Sequence, residues 1–419
     1  MDLAINNALI VTQNSNRDVM KGSILISGNR ISTISKDKLH AEVEIDATGH
    51  ALLPGFANTH AHAAMAHLKG RLDDIHLDNF LERTFDLDSK RTEDGIYNSS
   101  MLSMAEMLDS GITAFSDLYY SEDIIYRAAE KAGIRALLCW NTLDKDKTTQ
   151  SGDPVNNAEN FIRSYSGSDL IKPGIGVQGI YVAEDEVYHR SAEIAERYNT
   201  MVHTHLSETR KEVYDFEKKK GKRPIEHLAE ISFLSPRVIA AHCVWATLNE
   251  VKILSKAKVN VSWNSVSNSK LGDGGIAPIP EMLDNQIRVS LGTDSNGSNN
   301  SLDMFQLMKH SSLLIKGQRW DASMMPAQTM LDMATINGYQ SMGINDGGSV
   351  EPGKLADVIL VNLKSPNMIP TDQSNITGNI VYSASPRNVD YTIVNGEIVK
   401  EPSGFVKFSV DDLIDRVYA

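Results

Sequence analysis

Between residues 53 and 293, short apolar runs rich in strand-forming residues alternate with longer segments of helical periodicity. We predict eight strands in this region, at residues 53–58, 113–116, 136–139, 174–178, 201–205, 238–242, 259–263 and 288–293. Strands that alternate with helices pair in parallel, because each helix returns the chain to the same edge of the sheet. Eight consecutive units predict an α/β fold, a closed (β/α)8 TIM barrel.

The two ends of the chain have a different sequence pattern, in which short predicted strands are separated by turns rich in Asn, Gly and Asp. The N-terminal strands are predicted at residues 3–11, 22–27, 30–35 and 42–46, and the C-terminal ones at 356–361, 391–394 and 397–399. The last two flank Asn395-Gly396, a strong hairpin signal. We therefore expect a small β-sandwich domain built from both termini. Its first part is residues 1–54, the barrel is 55–348, and its second part with a C-terminal tail is 349–419.

Composition limits the partners of this chain. The formal net charge of −13 argues against nucleic acid or an acidic membrane as the main partner. Cys139 and Cys243 are the two cysteines, so a disulfide framework is not implied. The N-terminus lacks the basic and apolar regions of a signal peptide, and the chain lacks an uninterrupted apolar stretch of about 18 residues. We expect a cytoplasmic enzyme with a small-molecule substrate.

Polar residues that can bind a metal or move protons stand at the ends of several predicted strands. In a barrel of this type, chemistry gathers at the C-terminal ends of the strands. The residues found there are His60, His62, Glu208, His205, His242 and Asp294. His60 and His62 are two apart, so their side chains lie on the same side of a strand. Three imidazoles and a carboxylate form a suitable ligand set for zinc or iron(II), with a position left for water.

Each of these residues also has a structural explanation when it is taken alone. His242 can be a hydrogen-bonded core histidine, Glu208 a first-turn helix carboxylate, and Asp294 a turn residue. His203 shares a strand face with His205, so spacing does not choose between them. We favour His205 because it lies nearer the strand end. The coincidence of all these residues at strand ends favours a metal site.

Several motifs resemble those of the amidohydrolase superfamily, and the resemblance covers essentially the whole chain. They are Pro54-Gly55-Phe56-Ala57-Asn58-Thr59-His60-Ala61-His62, His205-Leu206-Ser207-Glu208-Thr209, Ala241-His242-Cys243 and Gly292-Thr293-Asp294. Within the superfamily, the chain most resembles the cytosine/guanine deaminase-like branch, and there the S-adenosylhomocysteine/5′-methylthioadenosine deaminases. That branch carries one metal and no bridging carboxylated lysine.

The resemblance implies a role for each matching residue. His60, His62, His205 and Asp294 would bind one divalent metal, with zinc favoured and iron or manganese as alternatives. Glu208 would protonate a ring nitrogen of the substrate, and His242 would orient and stabilise the attacking hydroxide. Family members commonly associate, so the resemblance also implies a homo-oligomer, a dimer or larger. The activity implied is hydrolytic deamination of an aminated heterocycle.

The substrate-binding positions depart from the adenosine-type pattern. Trp140 aligns with an expected arginine, Gln178 with an expected histidine, and Asp88 with a glutamate that holds ribose hydroxyls, whereas Ser298 matches a purine contact. Tryptophan cannot form the two parallel hydrogen bonds by which arginine binds a carboxylate, and this favours a less charged heterocycle as the substrate. The alternatives are an s-triazine deaminase or chlorohydrolase, a cyclic-amide hydrolase, and a non-catalytic barrel.

Overall fold

Strands from the two ends of the chain form one mixed sheet. The computed structural model describes residues 2–418, apart from the side chains of residues 78, 81 and 418. The N-terminal strands are β1 (Asp2–Val11), β2 (Val19–Ser27), β3 (Arg30–Ser35), β4 (Val43–Asp46) and β5 (His50–Pro54). The sheet has nine strands, and β5 lies beside β1 and pairs parallel to it.

The next eight strands form the barrel. They are β6 (Phe56–Ala61), β7 (Ile112–Tyr119), β8 (Arg135–Thr142), β9 (Ile171–Val177), β10 (Val202–Leu206), β11 (Val238–His242), β12 (Asn260–Trp263) and β13 (Arg288–Leu291). Neighbours in the chain are neighbours in this sheet, and their ladders are parallel. This confirms the predicted (β/α)8 architecture.

The helices lie between the barrel strands and after them. Those up to β13 are α1 (Leu77–Asp88), α2 (Glu93–Asp109), α3 (Glu122–Ala132), α4 (Pro154–Tyr165), α5 (Asp185–Arg197), α6 (Arg210–Lys220), α7 (Pro224–Glu230), α8 (Leu248–Ala257), α9 (Ser265–Leu271) and α10 (Ile279–Asp284). After β13 come α11 (Met304–Arg319), α12 (Ala327–Ala334) and α13 (Ile336–Ser341). Within residues 2–418, no helix combines the length and apolarity that a membrane span requires.

The C-terminal segment completes the mixed sheet and returns to the barrel. It contains β14 (Val358–Asn362), α14 (Ile376–Tyr382), β15 (Val389–Val394), β16 (Glu397–Glu401), β17 (Gly404–Phe405) and α15 (Val410–Tyr418). β14 pairs antiparallel with β5, so the two ends of the chain are joined directly. Helix α14 packs on α11 and α12, and α15 packs on α2.

The first barrel strand begins three residues later than its predicted start. The apolar run 51–54 belongs to β5 of the terminal sheet, and β6 starts only at Phe56. Gly55 separates the two strands, and a Cβ at this position would lie 2.0 Å from the Thr113 side-chain hydroxyl. Hydrophobic periodicity cannot show such a break, because both strands are buried on both faces.

The two ends of the barrel differ in chemistry. Small and apolar side chains, among them Ala57, Leu137, Ile239 and Tyr339, pack together in its interior. Helix α13 closes the N-terminal end, where the Tyr339 hydroxyl bonds Thr113 at 2.7 Å. At the C-terminal end, an isolated bridge joins Ala61 of β6 to Asp294, which lies three residues after β13. This closure places the end of the first strand beside the residue that follows the eighth.

Candidate metal centre and active site

Three histidines and one aspartate converge at the C-terminal end of the barrel. His60 lies in β6, His62 follows that strand, and His205 lies in β10. Asp294 Oδ1 lies 3.5 Å from His60 Nε2 and 3.3 Å from His62 Nε2. His205 Nε2 lies 3.4 Å from His62 Nε2. The four side chains are at least nine-tenths buried.

Backbone carbonyls fix the orientation of two of these imidazoles. His62 Nδ1 donates to the Leu118 carbonyl oxygen, and His205 Nδ1 donates to that of Gln178, each at 2.6 Å. A carbonyl oxygen only accepts, so Nδ1 carries the ring proton and Nε2 of each ring presents a lone pair to the centre. Ring orientation by such outer contacts is typical of metal-ligating histidines.

The group of side chains fits a divalent cation. Two imidazole lone pairs and a carboxylate oxygen face one another at 3.3–3.4 Å. His60 Nε2 is buried and lacks a hydrogen-bond partner among the described residues. An arrangement of acceptors without a donor is unfavourable unless a cation lies between them. Three nitrogens and one carboxylate oxygen suit zinc and its neighbours in the first transition row.

The ionisation of His60, His205 and Asp294 is also appropriate for metal binding. Burial lowers the pKa of His205 to about 3 and that of His60 well below its usual value. For His62, burial acts in the same direction, but the adjacent Asp294 carboxylate raises the pKa overall, so a cation at the centre would take the place of the Nε2 proton. Burial acts to raise the pKa of Asp294, but the contacts with His60 and His62 together hold it well below its usual value. Neutral imidazoles and an ionised carboxylate are the forms that bind metals.

His203 lies one layer deeper in the barrel than His205. Its Nε2 is 2.8 Å from His60 Nδ1, and its Nδ1 is 3.0 Å from Ser116 Oγ. The structure therefore brings His205 to the centre and places His203 behind His60. The supporting contact to His60 was not predicted, although the two-residue spacing already placed both histidines on one face.

His242 borders the centre, and Asn268 of α9 holds it in place. Asn268 Nδ2 lies 2.8 Å from His242 Nδ1 and 2.8 Å from Asp273 Oδ2. Because Asn268 donates to Nδ1, the proton of the neutral imidazole is on Nε2, the atom that faces Glu208. Burial lowers the pKa of His242 to about 4, so the ring is neutral at physiological pH. Sequence reasoning missed Asn268 and Asp273.

Glu208 completes the arrangement from the loop after β10. Its Oε1 lies 3.7 Å from His242 Nε2, and its side chain is 16% exposed. Burial, with repulsion from Asp273 and Asp294, raises the pKa of Glu208 well above its usual range. A carboxyl group with a raised pKa keeps its proton to a higher pH than usual and can donate that proton to a bound substrate.

A cavity of about 970 Å³ opens above this centre. Its lining includes Asp88, Gln178 and Ser298, as well as His62, His205 and Glu208. Trp140 is absent from the described lining: it is half-buried in β8, packs against Phe161 and donates to Gln150 Oε1 at 2.8 Å. The next residue, Asn141, lines the cavity instead. Strand alternation explains the difference, since neighbouring side chains point to opposite faces.

Two tyrosine hydroxyls hold Asp88 in the cavity wall. Tyr119 donates to one carboxylate oxygen at 2.6 Å and Tyr120 to the other at 2.7 Å. Arg91 lies 3.6 Å from the same carboxylate. Asp88 thus presents a carboxylate of fixed orientation. Asn141 forms a similar fixed group with Gln178, because its Nδ2 donates to Gln178 Oε1.

Together, the barrel and the metal-binding group at its strand ends define a metal-dependent hydrolase of the TIM-barrel class. The chain belongs to the amidohydrolase family, whose model matches residues 51–399. It is therefore a hydrolytic enzyme, as the sequence motifs predicted.

Curated relatives match over most of their length. A 5′-deoxyadenosine deaminase of Methanothermobacter thermautotrophicus is 37% identical over 386 residues, which cover 91% of this chain and 90% of the relative. A 5-methylthioadenosine/S-adenosylhomocysteine deaminase of Syntrophomonas wolfei is 37% identical over 419 residues, covering 98% of this chain and 96% of the relative.

Solved structures show the same architecture. An adenosine deaminase from Xanthomonas campestris with bound zinc superposes with a TM-score of 0.96 at 25% identity, covering 100% of this chain and 97% of that one. An atrazine chlorohydrolase from Arthrobacter aurescens, complexed with zinc, has a TM-score of 0.90 at 23% identity and covers 99% of both chains. The second match supports the fold alone.

Proposed function

We propose that this protein is a metal-dependent hydrolytic deaminase of adenosine-type nucleosides. The observation that carries the proposal is the position of Glu208 and His242 beside the convergent His60, His62 and Asp294. Candidate metal ligands, a carboxyl group with a raised pKa and an imidazole N–H group line one cavity. The curated relatives, which are named deaminases of 5′-deoxyadenosine and related nucleosides, support the same activity.

In this proposal, His60, His62, His205 and Asp294 hold one divalent metal. Zinc suits the three nitrogens and one oxygen best, with iron or manganese as alternatives. When bound, the cation would lower the pKa of water from about 15.7 to about 7 and so supply a nucleophile at neutral pH.

The remaining residues move and place protons. Glu208 donates its proton to the ring nitrogen next to the aminated carbon, which makes that carbon more electrophilic. His242 holds the attacking oxygen by a hydrogen bond from its Nε2–H. A carbon–oxygen bond forms, and the Glu208 carboxylate then takes the proton of the newly attached hydroxyl group and passes it to the amino group. The carbon–nitrogen bond breaks, ammonia leaves, and the ring nitrogen keeps the first proton. Water supplies the oxygen of the product.

Four cavity residues are proposed to hold the nucleoside. Ser298 lines the cavity in the loop that follows Asp294 and would contact the purine. Asp88, oriented by its two tyrosines, would accept hydrogen bonds from ribose hydroxyls. Gln178 would contact the substrate through its amide edge, together with Asn141. Trp140 has no part in the proposal, because it packs away from the cavity.

The substituent at the 5′ carbon is proposed to be small and uncharged. Among the described residues that line the cavity there is no arginine, the residue that grips a carboxylate bidentately. The lining has three lysines, each more than half exposed and paired with a carboxylate: Lys147 with Asp146, Lys211 with Asp215, and Lys219 with Glu184. A homocysteine carboxylate would therefore lack a free cationic partner deep in the cavity.

A substrate panel tests this proposal. Purified protein loaded with zinc is assayed for ammonia release. The compounds tested are 5′-deoxyadenosine, 5′-methylthioadenosine, S-adenosylhomocysteine, adenosine, guanine, a pterin and a chlorotriazine. We expect ammonia release with the highest kcat/KM for the first two compounds. Absence of ammonia from every compound, or chloride release without ammonia, would contradict the proposal. Size-exclusion chromatography with light scattering tests the predicted homo-oligomer.

A further inference from the structure

Glu212 makes an unusual set of contacts to the loop that carries Glu208. Its side-chain oxygens accept three consecutive backbone N–H groups, from Ser207 at 2.9 Å, Glu208 at 2.8 Å and Thr209 at 3.4 Å. Glu212 lies in the first turn of α6 and is only 8% exposed. The carboxylate is thus a single anchor for the backbone before, at and after Glu208.

The loop needs such an anchor because its backbone changes direction sharply. Ser207 has a φ of +50°, a left-handed conformation that is strained for a residue with a side chain. The N–H group of Ser207 is buried and those of Glu208 and Thr209 are partly buried, so all three would lose their acceptor if Glu212 were absent. A buried unsatisfied donor costs about 1–3 kcal/mol.

We propose that Glu212 is a positioning residue, which keeps the Glu208 carboxyl group within reach of the substrate by fixing the backbone of residues 207–209. The inference rests on the proposed function, in which Glu208 carries protons. Glu212 does not itself touch the substrate in this mechanism. Its effect reaches the reaction only through Glu208.

A second capping glutamate in the chain shows how Glu212 differs from an ordinary one. Glu250 caps α8 by accepting from the N–H and the hydroxyl of Thr247, both at 2.9 Å, and it also pairs with Arg223. Both glutamates complete a capping box, in which the N-cap and the third helical residue bond reciprocally. Only the contacts of Glu212 extend to the two residues before the N-cap, and one of these is Glu208.

The decisive variant is Glu212→Gln. Glutamine keeps the size of the side chain but replaces one acceptor oxygen with a donor, which must face a backbone N–H. A misplacement of about 1 Å costs a catalytic group roughly 100-fold in rate. We expect kcat to fall about 100-fold, KM to change less than about threefold, and the metal content to stay at the wild-type level.

Two controls separate positioning from a general loss of structure. Glu250→Gln removes a comparable buried capping carboxylate, so it should lower the free energy of unfolding and leave kcat unchanged. In the double variant Glu208→Gln/Glu212→Gln, the second change should cost little, because the group that it positions is already gone. A further 100-fold loss on the Glu208→Gln background, or a Glu212→Gln protein with wild-type kcat, would overturn the inference.

Hydrogen exchange gives a test that is independent of turnover. The amides of residues 207–209 should exchange faster in metal-loaded Glu212→Gln than in the wild type, whereas Glu250→Gln should not change them. Unchanged exchange in Glu212→Gln would refute the positioning role even if the deaminase proposal holds. If exchange is faster in Glu212→Gln but the wild-type protein releases no ammonia from any compound, the anchoring role of Glu212 is supported and the proposed function is rejected.

Discussion

Replacing Asn268 with aspartate should reverse the tautomer of His242. Asn268 Nδ2 lies 2.8 Å from His242 Nδ1 and 2.8 Å from Asp273 Oδ2, so it donates to both. Aspartate has nearly the same size and puts an oxygen where the donor was. His242 Nδ1 must then carry the ring proton, which leaves Nε2 as a bare lone pair towards the reaction centre.

The size of the effect follows from these two contacts. The variant loses one hydrogen-bond donor aimed at the attacking oxygen, and the loss of a single donor of this type costs about 100- to 1,000-fold in kcat. It also leaves two buried carboxyl groups without a donor, because the side chain introduced at position 268 would face the Asp273 carboxylate. At about 1–3 kcal/mol for each group, the free energy of unfolding should fall by about 2–6 kcal/mol.

Enzyme kinetics and ¹⁵N spectra of the histidine rings test this prediction at pH 8. Burial lowers the pKa of His242 to about 4, so the ring should remain neutral at that pH. A His242→Gln protein identifies the His242 signal among the 12 histidines. An Asn268→Asp protein with full metal content and a kcat within threefold of the wild type would refute the reasoning.

Asn260→Asp is the matched control. Asn260 is 1% exposed, and its Nδ2 donates to the carbonyls of Pro236 at 2.9 Å and Val238 at 3.2 Å, near the start of β12. The change again turns a buried amide donor into an oxygen, but at the end of the barrel opposite the metal-binding residues. We expect a similar loss of stability with an unchanged kcat.

Three further changes test the metal site, the proton donor and the buried charges. Glu208→Gln should retain its metal by elemental analysis yet lose about 100- to 10,000-fold in kcat, and near-wild-type turnover would reject its role. His62→Ala should lose stoichiometric metal in the same analysis, because it leaves three of the four proposed ligands. Burial raises the pKa of Asp117 to about 7 from 3.8, so between these values the folded protein holds a proton that the unfolded chain releases. Unfolding free energy from urea titrations should therefore fall as pH rises from about 4 to 7, and Asp117→Asn should flatten this slope; an equal slope in both proteins would contradict the assignment.

The barrel was predictable because its signal repeats along the chain. Eight apolar runs separated by helical segments leave few alternative topologies, and the order of strands in the sheet follows the sequence. The convergence of the proposed metal ligands could be predicted for a related reason. Parallel strands end on one side of the barrel, so residues at different strand ends, such as His60 and His205, meet there although they are far apart in the chain.

The lining of the substrate cavity was harder to predict from the sequence, because small shifts in strand position change which side chain faces the cavity. The third barrel strand continues to Thr142, three residues beyond its predicted end at Cys139. Trp140 therefore lies within a strand and packs outward on Phe161, and Asn141 takes the inward position. A one-residue change of position reverses the face of a strand side chain. Hydrophobic periodicity does not locate the end of a strand to within one residue.

The contacts that orient the metal-binding imidazoles could not be predicted for a different reason: they are made by backbone atoms. The backbone carbonyls of Leu118 and Gln178 accept hydrogen bonds from His62 and His205. Every residue type has such a carbonyl, so the residue type at these positions does not reveal the contact. What the sequence must preserve is the strand geometry that brings each carbonyl to its ring. Leu118→Val keeps the carbonyl and the strand-forming tendency, so it should leave metal binding intact, whereas Leu118→Pro should disrupt the β7 ladder to β8 and release the metal. Elemental analysis of the two purified variants checks this prediction, and a Leu118→Pro protein with full metal content would contradict the role given to the carbonyl.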